Sequence, residues 1–112
     1  MDFPEWSIAD WQRAFDSGEW TSTSVCERIL HRIGEIDVAG PTLRSVIEVN
    51  PDTLEIARGL DKERRDGKVR GPLHGVPVVV KDSLDTADRM MTTGGSFWVT
   101  KAAARRPPNV AR

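Results

Sequence analysis

The sequence has no apolar run long enough to cross a membrane, and it has very little cysteine. No stretch reaches the roughly 18 apolar residues that a membrane-spanning helix needs. The first residues lack the basic segment and apolar stretch of a signal peptide. The single cysteine, Cys26, cannot form an internal disulfide, which fits a reducing compartment. We therefore expect a cytoplasmic protein with no membrane partner.

The sequence also lacks the common cofactor-binding patterns. No cysteine–histidine cluster has the spacing of a metal site, and no glycine-rich loop of the usual phosphate-binding kinds is present. We predict neither a metal nor an organic cofactor. With 38% hydrophobic and 29% charged residues among 112, the composition is that of an ordinary globular domain and argues against a fully disordered chain.

Charge is distributed unevenly along the chain. The net charge is −1, but residues 99–112 contain four basic residues and no acid, which leaves −5 for the rest. Such a tail can bind nucleic acid, yet basic residues without interleaved aromatics are more typical of a solvated end. We predict no nucleic-acid partner. We divide the chain into a domain at 1–98 and a basic Ala/Arg/Pro-rich tail at 99–112, which we expect to be disordered or frameshifted.

Apolar spacing and capping residues predict three helices. The first begins after Ser7, a suitable N-cap, and stops at Gly18. The second ends near Asp37. The third opens at Asn50 and Pro51, with asparagine as the cap and proline at the first helical position. All three carry apolar residues at helical spacing, which predicts that each helix packs one face against a core.

Two later segments are predicted as strands. Residues 43–49 are rich in β-branched side chains. Residues 76–80 form a continuous apolar run, Val-Pro-Val-Val-Val, which follows a turn-rich stretch at 71–75 and is typical of a strand buried on both faces. Helices followed by a buried strand indicate an α/β fold.

Lys81 directly follows the apolar run and is the main candidate for chemistry. Ligand sites of open α/β sheets favour the ends of such strands. A lysine buried there has a lowered pKa, so its amine can act as a base near neutral pH. The local pattern leaves a simpler interpretation open, in which Lys81 caps the strand and pairs with Asp82 or Asp85.

Residues 71–96 closely resemble the start of the amidase signature domain. They contain its Gly-Pro-Leu-His-Gly turn, its hydrophobic strand, its Lys-Asp pair and a segment ending in Thr-Thr-Gly-Gly-Ser. The similarity extends upstream to residues 8–10, 46–51 and 57–61. The resemblance implies the N-terminal helices and first strands of the family's mixed-sheet α/β fold, incomplete in this chain.

The resemblance also implies a mechanism. Family members hydrolyse carboxylic amides with a Ser–cis-Ser–Lys triad and need no cofactor. Lys81 matches the catalytic base, which accepts a proton from the cis-serine. Both triad serines lie further downstream in the family and are absent from this chain. We therefore expect the chain to be inactive alone, with a small-molecule amide as the substrate of the full-length parent, and we assign no substrate-binding residue.

Other reactive side chains are given structural roles. Ser83 matches a noncatalytic position of the family, and Ser96 matches the Thr-Thr-Gly-Gly-Ser element, where we expect a turn lining the cleft. His74 is predicted to be structural and His31 to lie at the surface or its boundary. Cys26 is predicted to be a half-buried helix residue rather than a nucleophile.

Residues 97–112 do not align by eye with the family pattern, which motivates the hypothesis of a frameshifted or truncated gene. Three interpretations remain open: an inactive amidase fragment, one half of a split amidase, or a noncatalytic helical interaction module. In each of them, a strand at 76–80 without neighbours would expose apolar side chains and a sheet edge. We therefore expect association through that edge, and either poor solubility or a mobile C-terminal third of the chain.

Overall fold

The computed structural model describes residues 5–94. Over that range it contains three α-helices, α1 (Ile8–Asp16), α2 (Ser22–Arg32) and α3 (Thr53–Arg65), and a π-helical segment at Ile33–Val38 that continues α2. No helix among these residues is long and apolar enough to span a bilayer. The turn predicted at Ser96 and the disordered or frameshifted tail predicted at 99–112 lie outside the described range.

Helix α1 begins and ends where the sequence predicts. The Ser7 hydroxyl accepts a hydrogen bond from the Asp10 backbone N–H (3.2 Å), and the Asp10 carboxylate accepts one from the Ser7 N–H (2.9 Å). This capping box satisfies two N–H groups that would otherwise have no partner at the helix start. Gly18, just after the helix, has φ +75°, a left-handed conformation that glycine adopts without a steric cost.

Helix α2 is capped twice, once from its own sequence and once from α3. Thr21 and Ser24 form a second capping box. In addition, the Asp61 carboxylate accepts hydrogen bonds from the backbone N–H groups of Ser22 (2.7 Å) and Thr23 (3.0 Å). A carboxylate at this end also complements the positive end of the helix dipole. Asp61 therefore fixes the start of α2 to the middle of α3.

Helix α3 begins at Thr53, two residues later than predicted, so the placement of Pro51 at the first helical position was wrong. Asn50 still stabilises the helix start, but through the preceding turn. Its side-chain oxygen accepts from the Asp52 N–H (2.9 Å), and its carbonyl accepts from the Thr53 N–H (3.1 Å). The turn uses the short polar side chain that makes asparagine common in such positions.

The described core is small and lies between the helices. Its buried apolar residues are Ala14, Phe15, Val25, Cys26 and Ala57. They come from all three helices, so each helix contributes at least one residue to the buried part of the described chain.

The predicted strands are absent from the described residues, and the α/β interpretation is not met there. At 43–49, Arg44 has φ +54°, a left-handed conformation incompatible with a regular strand. Residues 44–46 are instead held to Asp37. Its carbonyl accepts from the Arg44 N–H (3.1 Å), and its carboxylate accepts from the backbone N–H groups of Ser45 (2.7 Å) and Val46 (3.0 Å).

The apolar run at 76–80 is likewise not a strand. A strand needs a neighbouring chain segment to pair its backbone groups, and no described segment pairs with this one. The run is also not buried, since the relative exposures of Val78 and Val79 are 71% and 86%. The expectation of exposed apolar side chains is therefore met, although the strand itself is not formed.

Candidate functional site

Lys81 lies at the end of the exposed run, and it is itself exposed. The burial that the sequence suggested for it is not found, because no sheet among residues 5–94 covers the run at 76–80. The Lys81 carbonyl accepts a hydrogen bond from the Leu84 N–H (2.9 Å), so the chain turns immediately after the lysine. The amine is thus carried at the junction between an extended segment and a turn.

Asp82 closes the loop that follows Lys81. Its carboxylate accepts from the Thr93 N–H (3.1 Å) and from the Thr93 hydroxyl (2.8 Å), and its carbonyl accepts from the Gly94 N–H (3.0 Å). From the sequence, Asp82 and Asp85 were considered only as ion-pair partners of Lys81. Among residues 5–94, no ion pair joins Lys81 to either aspartate. The Lys-Asp motif was the sequence signal that could have drawn attention to this aspartate.

A second aspartate organises the interior of the same loop. One Asp88 carboxylate oxygen accepts from the Thr86 hydroxyl (2.8 Å) and from the Met90 N–H (2.9 Å). Its other oxygen accepts a long hydrogen bond from the Asn50 side chain (3.4 Å). Asp88 therefore stabilises the loop and connects it to the turn before α3.

Two further contacts fix the loop to the helical part. The Arg89 guanidinium makes a two-pronged ion pair with Asp52, the residue that precedes α3. This contact lowers the pKa of the Asp52 carboxyl, mainly through the hydrogen bonds from Arg89. The Met91 N–H donates to Glu48 (3.0 Å). The loop after Lys81 is therefore tied to the helical part at its far side and closed by Asp82 at its near side.

The turn at 71–75, which leads into the run before Lys81, is anchored by a buried histidine. His74 Nδ1 accepts a hydrogen bond from the Arg70 backbone N–H (3.2 Å). Because that nitrogen is the acceptor, Nε2 carries the proton and donates to the Leu60 carbonyl (2.9 Å). Both ring nitrogens are thus bonded to backbone groups, which supports the predicted structural role of His74.

Backbone carbonyls of the same turn are held by side chains from α1, α2 and α3. Gln12 donates to the Pro72 carbonyl (2.9 Å), and Arg64 donates to the His74 carbonyl (3.2 Å). The Ser22 hydroxyl donates to the Gly75 carbonyl (2.8 Å). Gly75 is required at its position, because it has φ +82° and an added Cβ would lie 3.3 Å from Ser22 Cβ.

Arg64 links this turn to helix α1. Its guanidinium donates to the Gln12 side chain (2.6 Å), forms an ion pair with Asp16 and lies 5.4 Å from the centre of the Phe15 ring. The Arg64 side chain is only 16% exposed. Its partners lie 48 and 52 residues away in the sequence, so local patterns gave no sign of this role.

The remaining candidates have positions consistent with noncatalytic roles. Burial raises the pKa of the Cys26 thiol, which disfavours the reactive thiolate. His31 is exposed and contacts Glu35 one helical turn away (3.2 Å). Ser83 is exposed in the turn after Lys81. Among residues 5–94, no group of three or more His, Cys, Asp or Glu side chains is arranged to bind a metal ion.

Comparison with known proteins identifies relatives of this chain. A family model for amidases matches residues 25–107, and so extends into the tail that sequence analysis separated. A protein named as an amidase from Arthroderma benhamiae is 39% identical over 100 residues, covering 89% of this chain and 16% of the relative. Another protein named as an amidase, from Schizosaccharomyces pombe, is 41% identical over 91 residues, covering 81% of this chain and 15% of the relative.

A solved structure gives the same assignment. The native peptide amidase of Stenotrophomonas maltophilia matches with a TM-score of 0.80 and 47% identity, over 84% of this chain and 19% of that one. The chain therefore spans about a fifth or less of the length of these relatives. The matched family model, the named relatives and the shared structure together show that this chain belongs to the amidase family.

Proposed function

We propose that this chain supplies the base-bearing N-terminal part of an enzyme that hydrolyses carboxylic amide C–N bonds, with Lys81 as the base. The observation that carries the proposal is the ordered family pattern at 71–96, which includes Lys81 and its loop, within a chain 47% identical to a peptide amidase. We expect the chain alone to be inactive, because Ser83 and Ser96, the serines within this pattern, match noncatalytic positions of the family.

The reaction proceeds in two steps, formation of an acyl-serine ester and its hydrolysis, and neither step uses a cofactor. Lys81 accepts a proton from the cis-serine, which takes one from the nucleophilic serine as that serine attacks the carbonyl carbon. The C–N bond breaks, the nitrogen leaves as ammonia or an amine with the transferred proton, and an acyl-serine ester remains. Water then attacks the ester and gives up a proton, which passes through the cis-serine and Lys81 to the leaving serine oxygen, so that the acid is released and the serine hydroxyl is restored. Backbone N–H groups stabilise the oxyanion in both steps.

Completion of the site requires the rest of the fold. In the assembled enzyme, residues 76–80 pair with further strands, and the chain forms part of an α/β fold with a mixed β-sheet. The exposure of Val78 and Val79 and the absence of backbone partners in the described range support this proposal. Pairing would satisfy the backbone of the run, and helices packed on both faces of the sheet would bring Lys81 into a less hydrated environment, where an amine serves better as a base.

The substrate is a small-molecule amide, and similarity to a peptide amidase favours the amide of a peptide. The sequence predicts neither a nucleic-acid nor a membrane partner, and it predicts a cytoplasmic location. These statements stay predictions.

Complementation tests the proposal. The purified chain is mixed with the part of the Stenotrophomonas maltophilia peptide amidase that lies outside the match, and ammonia release from a peptide amide and from a simple aliphatic amide is measured. We expect turnover only in the mixture. Lys81→Ala should abolish it, whereas Lys68→Ala, which removes an exposed lysine before the 71–75 turn, should not.

The outcomes separate the three interpretations. Turnover by the chain alone, lost in Lys81→Ala, would show that the expected inactivity is wrong. Turnover only in the mixture supports a base supplied to the rest of the fold. Tight association without any hydrolysis would favour a noncatalytic interaction module.

A further inference from the structure

We propose that Asp82 is a positioning residue of the amidase site, which holds residues 93–94 beside Lys81. This inference rests on the proposed function, because it takes Lys81 to be the base. It assigns Asp82 a role distinct from that of an ion-pair partner for the lysine.

The Asp82 carboxylate bonds to the end of its own loop. Each of its oxygens accepts from a different donor of one residue: Oδ1 from the Thr93 N–H (3.1 Å) and Oδ2 from the Thr93 hydroxyl (2.8 Å). The Asp82 carbonyl accepts from the next N–H, that of Gly94 (3.0 Å). Three hydrogen bonds therefore join Asp82 to a segment that begins 11 positions further along the chain, and Asp82 is adjacent to Lys81.

The negative charge of Asp82 bears on the protonation of the neighbouring Lys81 amine. A carboxylate in direct contact with an ammonium group stabilises the charged form and opposes its use as a base. The Thr93 donors orient the Asp82 carboxylate toward the returning end of the loop. The carboxylate that directly follows Lys81 in the sequence therefore bonds to Thr93.

Two other contacts of the loop are made by residues other than Asp82. Arg89 is held by Asp52, and Met91 by Glu48. Removal of the Asp82 side chain should therefore release residues 93–94 near Lys81, while the far side of the loop stays attached to the helical part. This separation makes the inference specific enough to test.

Amide hydrogen exchange on the full 112-residue chain tests the contact itself. In Asp82→Ala, we expect the Thr93 and Gly94 amides to exchange about tenfold faster, the effect of losing one net hydrogen bond, while the Met91 amide is unchanged. Asp82→Asn should exchange like the unsubstituted chain, because its amide can accept from the Thr93 N–H and donate to the hydroxyl. The matched control is Asp85→Ala, which removes an exposed acid three residues on. Unchanged exchange in Asp82→Ala would overturn the inference.

The complemented enzyme tests the consequence for the reaction. Asp82→Ala should lower kcat about 10- to 100-fold with KM changed less than about twofold, since misplacement of reacting groups costs rate rather than binding. Asp82→Asn should restore most of kcat, and Asp85→Ala should match the unsubstituted chain. An Asp82→Asn variant as slow as Asp82→Ala would show that the charge matters rather than the loop closure, and the inference would fail.

The Lys81→Ala variant distinguishes failure of the inference from failure of the proposed function. Turnover that survives Lys81→Ala, or no turnover in any mixture, rejects the proposed function, and hydrogen exchange then decides alone whether Asp82 holds the loop. Turnover that is abolished by Lys81→Ala but unaffected by Asp82→Ala leaves the function intact and rejects the role of Asp82.

Discussion

Replacing Arg64 by alanine should detach helix α1 and the 71–75 turn from α3. The guanidinium donates hydrogen bonds to Gln12 and to the His74 carbonyl, contributing about 0.5–1.5 kcal/mol each. Its position over the Phe15 ring adds about 0.5–1 kcal/mol. The ion pair with Asp16 adds at most about 1 kcal/mol, because the Asp16 side chain is largely exposed. We expect Arg64→Ala to lower the free energy of unfolding by about 3 kcal/mol.

Urea unfolding at low micromolar concentration measures this change. The chain has four tryptophans, and Trp11, half-buried in α1, contributes the part of the fluorescence signal that changes when this helix undocks. With a slope of about 1.5 kcal/mol per molar urea, the midpoint should fall by about 2 M. Arg64→Lys keeps the charge but loses the planar fork, and we expect it to lose about half as much stability.

Arg65→Ala is the matched control for this prediction. It removes the same charge from the next position of α3, where the side chain is exposed, and should change stability by less than about 0.5 kcal/mol. If Arg64→Ala and Arg65→Ala had the same midpoint, the reasoning from the buried contacts of Arg64 would be refuted.

Three further predictions concern single polar side chains. Asp61→Ala should lower the free energy of unfolding by about 1–2 kcal/mol, because the α2 N-terminus loses its second cap. Urea unfolding measures this change, and an unchanged midpoint would contradict the role of the cap. The hydrogen bonds from Ser45 hold the pKa of the Asp37 carboxyl below its usual value of 3.8. Because the folded-state pKa is the lower one, the Asp37 contribution to stability is present above about pH 4 and is lost as the pH falls through the folded-state pKa. The Ser45 amide signal should therefore shift below pH 4, and Asp37→Asn should remove that transition. The thiol of Cys26 should react with a disulfide reagent at least about tenfold faster in urea than in buffer, since burial raises its pKa and blocks access; equal rates would contradict its burial.

The helix starts and stops could be predicted because their signals are local. A serine cap with an acid three residues on and a glycine with left-handed φ act within one turn of the chain, and the structure has both at α1. The start of α3 was predicted two residues early, because Asn50 bonds within a turn before the helix rather than capping it. Short polar side chains serve both purposes, and the sequence does not distinguish them.

The strand predictions were wrong for the described residues because backbone pairing between strands depends on segments far apart in the sequence. Residues 76–80 have the composition of a buried strand, yet strand formation needs a neighbouring segment that the described residues do not supply. The same limit applied to the site. Asp82 and Thr93 are 11 residues apart, and Arg64 and Gln12 are 52 apart, so neither contact could be read from local spacing. Lys81 was a candidate from its position after the apolar run, but its predicted role as a base came only from the long ordered family pattern.

The measurement that tests the account most directly is the rate of ammonia release by the complemented enzyme with and without Lys81. A general base contributes about 10²- to 10⁴-fold to the rate. We therefore predict that Lys81→Ala lowers kcat of the mixture by at least about 100-fold, while Lys68→Ala stays within about twofold of the unsubstituted chain. Equal rates for Lys81→Ala and Lys68→Ala would contradict the assignment of Lys81 as the base.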